Sequence, residues 1–202
     1  MFEGIDFKAF WDDSDYSEEN YHSKDYTDEL LRDVERELGY HLPKAYAMLM
    51  KQHNGGLVKL ACCPCARGAG LAEDYISISG IMGIGRDKKY SLCGARGSRF
   101  MIEEWDYPAI GVAICDTPSA GHSMVFLDYR DCGATGEPCV VYVDQEQDYK
   151  ITKLADDFEA FVGRLRERPS ETGNAVEGLI SGGMKVTDKL LAALAKIKNT
   201  DS

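Results

Sequence analysis

The chain has 202 residues, of which 44% are hydrophobic and 28% charged, with a formal net charge of −11. That length holds one domain of ordinary size plus appendages, and it buries a core without help from disulfides or metal. The acidic balance disfavours nucleic acid and anionic membranes as partners, no apolar run reaches the roughly 18 residues of a membrane span, and Met1 to Trp11 lacks the pattern of a secretory signal.

Residues 1–37 carry thirteen Asp or Glu against four Lys or Arg, so nine of the eleven net negative charges lie at the start of the chain. Asp12 to Asp28 mixes acids with Tyr16, Tyr21 and Tyr26 and shows neither helical nor strand period, which predicts an acidic, aromatic loop. A helix starts after Thr27, a capping residue, with Asp28 and Glu29 at the positive end of its dipole. Leu30, Leu31, Val34 and Leu38 share its apolar face, and Gly39 stops it. Pro43 opens a second helix on which Tyr46, Leu49, Met50 and His53 recur, ended by Asn54-Gly55-Gly56. Together these make a helical hairpin.

After Gly56 the period changes. Leu57, Val58 and Leu60 read as a short strand, and residues 61–71 as a loop of Cys, Gly and small residues. Ile76, Ile78, Ile81 and Met82 read as a strand broken at Gly83 and Gly85. Phe100 to Trp105 forms a short helix before the Tyr107-Pro108 step. Ile110 to Cys115, Met124 to Tyr129 and Cys139 to Asp144 are three strands of an antiparallel meander. Leu154, Phe158, Phe161, Val162 and Leu165 form the stripe of a closing helix. Residues 169–183 read as a linker and 184–202 as an amphipathic helical tail, able to dock on the core or to pair chains as a homodimer. The fold class is α+β: an N-terminal helical hairpin, a central mostly antiparallel sheet, and a C-terminal helix packed on it. The expected organisation is an acidic segment 1–27, a core 28–168, then linker and tail.

The clusters that invite chemistry are incomplete. Cys62-Cys63-Pro64-Cys65 offers one pair at zinc or redox spacing, but no second pair follows. Seven cysteines, an odd number, fit reduced thiols and a cytoplasmic location. Cys115, His122 and Asp128 can be drawn as nucleophile, base and orienter, yet nothing in their spacing fixes a geometry, and a cysteine ending a strand reads as packing. Gly80, Gly83 and Gly85 lack the following helix of a phosphate-binding loop. No catalytic residue, metal or cofactor is expected. The candidate partner-binding residues are two acidic clusters around tryptophans: Trp11, Asp12, Asp13, Asp15, Glu18 and Glu19, then Glu103, Glu104, Trp105 and Asp106.

Four stretches carry a family likeness. Val34 to Gly39 with Leu42-Pro43, Tyr46 and Asn54-Gly55-Gly56 comes first, and Ile78 to Gly85 second. Tyr107-Pro108, Ile110 to Val112, Gly121-His122 and Phe126 to Arg130 form the third. Val140 to Lys150, with the Phe158–Phe161–Leu165 helix, completes the order. Over roughly Asp28 to Leu165 the chain resembles the SUKH superfamily, the Smi/Knr-like domains of yeast cell-wall regulators and many bacterial immunity proteins. Ser123 stands where some relatives carry an acid, so no acid or metal role transfers there. The resemblance implies a non-catalytic protein-binding module, in the first instance an immunity protein that occludes a cognate toxin, and in the second an intracellular scaffold or regulatory adaptor.

Overall fold

The N-terminal residues are ordered by short elements that a periodicity argument passes over. The computed structural model describes residues 2, 4–65 and 74–168. Helix α1 (Phe7–Phe10) is capped by Asp6, strand β1 (Trp11–Asp12) follows, and helix α2 (Asp15–Asn20) is capped by Ser14. This corrects the loop expected over Asp12 to Asp28. A single turn and a half of helix is too short to show a repeat, so its Ser cap and acidic first turn are the signals that reveal it.

The hairpin is present as read: α3 (Asp28–Leu38) with Thr27 as its cap and Gly39 at φ 81°, then α4 (Lys44–Gln52) with Pro43 in the capping position. After them come β2 (Gly56–Val58), β3 (Cys62–Pro64), β4 (Tyr75–Ser77), β5 (Gly80–Ile81), α5 (Ser98–Glu104), β6 (Gly111–Asp116), β7 (Ser123–Asp128) and β8 (Cys139–Asp144). A 3₁₀ turn then leads into β9 (Lys150–Ala155) and α6 (Phe158–Arg164). The linker and tail lie outside the described residues.

Seven strands form one sheet in the order β1-β2-β5-β6-β7-β8-β9, every neighbour antiparallel, and β3 and β4 pair separately. Residues of β7 are buried along its whole length, so the strand is covered on both faces. Helix α6 packs on β8 and β9 and meets α4, where Phe158 and Tyr46 approach to 4.8 Å. Leu154 is a correction: it belongs to β9, at a register shift opposite Val140 and Val141. Its place four residues before Phe158 mimics a helical stripe, whereas the exposed, polar start of β9 hides the alternation.

The two glycine motifs meet. Asn54 is buried; its amide nitrogen donates to the Lys24 and Ile84 carbonyls and its oxygen accepts from the Ile84 N–H. A side chain at Gly83 would stand 2.4 Å from the Asn54 carbonyl oxygen, and one at Gly80 2.7 Å from the Gly56 carbonyl. These glycines allow β2 and β5 to approach.

Candidate functional site

Helix α2 is pinned by one face and presents the other. The buried Ser17 hydroxyl accepts from the Leu57 N–H at 3.0 Å, fixing the helix on β2. Asp12 accepts from the Ser14 N–H at 3.0 Å and shapes the entry turn. Asp15, Tyr16, Glu18 and Glu19 are left exposed. Tyr16 is 52% exposed and, with Met48, is one of the large hydrophobic side chains facing solvent among the described residues. An aromatic ring standing among carboxylates has the composition of an interface anchor.

Behind α2, Tyr21 is buried and stacks on Tyr90 at 4.4 Å, while its hydroxyl donates to Asp116 Oδ2 at 2.7 Å. Burial pushes the Asp116 carboxyl up to about 6, although the Tyr21 hydroxyl works in the opposite direction. The Tyr90 N–H donates to the Asn20 carbonyl, and Lys88 Nζ donates to that of Glu18. The segment 88–90 therefore runs beside α2.

Beyond Tyr90 lies a pocket of about 190 Å³ whose walls include Lys89, Tyr90, Arg96, Trp105, Asp116 and Gly121. Trp105 is half-buried, and its carbonyl accepts from the Tyr149 hydroxyl at 2.9 Å. Gly121, at φ +104°, lets the chain pass the indole, where a Cβ would come within 3.0 Å of the ring. The pocket thus combines two aromatic walls, two cations and one buried carboxyl.

The two predicted clusters fall on either side of this pocket. Asp13, Asp15, Glu18 and Glu19 are exposed on the α2 side. Glu103, Glu104 and Asp106 are exposed around Trp105, with Glu103 paired to Arg99 at 2.8 Å and Asp106 in the left-handed region at φ 56°. Trp11 is a correction: it is 3% exposed, packed between Phe10 and His53, and the exposed ring of this cluster is instead Tyr16. Its position in a sheet strand explains the difference, because that strand's inner face is core. Tyr90, Lys89, Arg96 and Asp116 were not singled out from the sequence. Asp116 alone had a signal, a carboxylate directly ending an apolar strand.

The other clusters do not assemble. His122 precedes β7 and Asp128 ends it, so the two are roughly 20 Å apart along the extended chain. Asp128 pairs with Arg130 at 2.6 Å, and burial raises the Cys115 thiol well above its ordinary pKa. Cys62 and Cys63 are buried in β3, and burial raises the Cys63 thiol to about 11. Among the described residues, the ligand atoms close enough to share an ion belong to Glu18, His22 and His53, with no cysteine in the group. No helix of the described residues is long and apolar enough to cross a membrane.

No curated protein matches the chain. The family model SUKH_6, described as SMI1-KNR4 cell-wall, matches residues 28–162, which takes in the hairpin, the sheet from β2 to β9 and the start of α6. The match covers well over half of the sequence, and the chain belongs to the SMI1-KNR4 family of the SUKH superfamily.

Proposed function

We propose that this protein is a non-catalytic immunity protein that neutralises a toxin domain by covering its active surface. Family membership supports a protein-interaction module. The observation that carries the finer reading is Tyr16, an exposed aromatic ringed by Asp15, Glu18 and Glu19 on a helix fixed to β2. Such a face suits a basic cleft: carboxylates occupy anion positions and steer the encounter, and the aromatic ring and the Trp105 pocket set the lifetime of the complex. A toxin that acts on nucleic acid carries a cleft of that kind.

The test is stopped-flow association with any toxin domain found encoded beside the gene. Asp15→Asn with Glu19→Gln should slow association several-fold at low salt and flatten its salt dependence, and Tyr16→Ala should speed dissociation tenfold or more. Unchanged rates in both variants would remove α2 from the interface.

The family description also favours a second reading, a regulatory adaptor of the Smi/Knr type. The two readings part at residues 170–202. Deleting them should abolish partner capture by an adaptor and leave toxin neutralisation by the core intact.

A further inference from the structure

Beside the binding face, where α2 meets the end of α4, Glu18, His22 and His53 each place one ligating atom within 4.8 Å of the others. The fixed member is His53. Its side chain is only 17% exposed, and its ring lies between the Trp11 indole at 4.6 Å and the His22 imidazole at 3.9 Å. Its Nδ1 is 2.8 Å from the Gly55 carbonyl oxygen. A carbonyl only accepts, so Nδ1 carries the proton, and Nε2 of the neutral ring presents a lone pair.

That lone pair has an unusual neighbour. Asp13 Oδ1 lies 3.4 Å from His53 Nε2, two acceptors with no proton between them when the ring is neutral. The distance exceeds that of an ordinary N–H···O bond. It matches the edge of a tetrahedron with metal–ligand bonds of roughly 2.0–2.1 Å, which is about 3.3–3.4 Å. On the far side of the stack, His22 Nδ1 sits 2.7 Å from Glu18 Oε1, a hydrogen bond that opens when both groups turn to one ion.

We propose that His22 and His53, with the carboxylates of Asp13 and Glu18, form a site for a divalent transition-metal ion of the zinc class. Two imidazoles select against calcium and magnesium, which want oxygen on every side. Closing the site moves surface side chains only: Asp13 and Glu18 are exposed and His22 partly so. The His22 ring turns out of the parallel stack, because in-plane lone pairs of parallel rings do not meet at one ion. Residues 13, 18 and 22 precede the family match at 28–162 and His53 lies within it. A bound ion therefore staples the acidic helix to the family core and offsets part of the charge it presents.

Cobalt(II) is the probe, since its visible bands report tetrahedral ligation and thiolate ligation adds a strong near-ultraviolet band. Full-length protein should bind one Co²⁺ without that band and release it to Zn²⁺. His22→Ala, at a partly exposed position, should keep its circular dichroism and weaken binding about tenfold or more. A Cys62→Ser, Cys65→Ser variant should bind as the parent does. Absence of stoichiometric binding, binding that survives His22→Ala, or binding lost in the cysteine variant would each overturn the site.

Discussion

The central strands β6, β7 and β8 and the first 27 residues are ordered by opposite means. The strands are apolar almost throughout, and Val112, Ile114, Phe126 and Val143 are fully buried along them. The N-terminal residues are strongly acidic, yet Phe10, Trp11, Tyr21 and Tyr26 are no more than 4% exposed. Their polar groups tie them down one at a time: the Tyr26 hydroxyl donates to the Ala47 carbonyl, the Ser23 N–H to that of Asn54, and the Tyr21 hydroxyl to Asp116. Mean polarity describes what a segment shows to solvent. A few well-placed aromatics decide what it buries.

The comparison breaks if the sheet centre is not the dominant source of stability. Phe126 is fully buried in β7 and packs on Tyr107 at 5.6 Å. Phe126→Ala should cost about 3–5 kcal/mol by lost transfer energy and the cavity left behind, read by urea denaturation. A loss under about 1 kcal/mol would show that the core collapses around the gap.

The junction of the two regions is Asp116, which ends β6 and holds Tyr21, and its titration sharpens the contrast. Burial raises its carboxyl from 3.8 to about 6 in the folded chain. Between those values the folded state holds the extra proton, so this group's stabilisation is complete below about pH 4 and is lost as pH rises to about 6. Asp116→Asn removes that dependence while an oxygen remains for the Tyr21 hydroxyl. Its stability relative to the parent should rise by about 2 kcal/mol between pH 4 and 6.5, the two-unit shift discounted for residual solvent access. A pH-independent difference would mean that Tyr21 does not meet an ionising group.

What the sequence disclosed divides along the same line. The hairpin, the meander and the closing helix were legible because each is long enough for its period to repeat, and their caps are explicit. Strand β9 was not, since Leu154 sits at helical spacing from Phe158 and Lys150 and Lys153 interrupt the alternation. For the candidate site, Asp15, Glu18, Glu19 and Trp105 were legible from charge and aromaticity alone. That Trp11 is buried and Tyr16 exposed was not legible, because burial depends on which face of a two-residue strand or a six-residue helix each occupies. The pocket walls Lys89, Tyr90 and Arg96 come from an irregular stretch, where contacts between distant segments, not local pattern, set position. His22 and His53 are 31 positions apart, and only the turn at Gly55 and the seating of α2 on β2 bring their rings together.

The smallest effect separates the regions by their helix caps. Thr27 Oγ1 accepts from the Leu30 N–H at 3.1 Å at the head of α3, an eleven-residue helix, whereas Ser14 Oγ accepts from the Ser17 N–H at 3.4 Å. A cap of ordinary geometry contributes about 1 kcal/mol, and a long bond on a short helix contributes less. Thr27→Ala should lower global stability by about 1 kcal/mol and Ser14→Ala by about 0.5 kcal/mol or less. Amide exchange distinguishes how the losses arise: Ser14→Ala should speed exchange in α2 while leaving β6 and β7 protected, because α2 opens locally around its anchors. Equal loss of protection in β7 would mean that α2 unfolds only with the sheet, and the N-terminal residues would then belong to the same cooperative unit as the core.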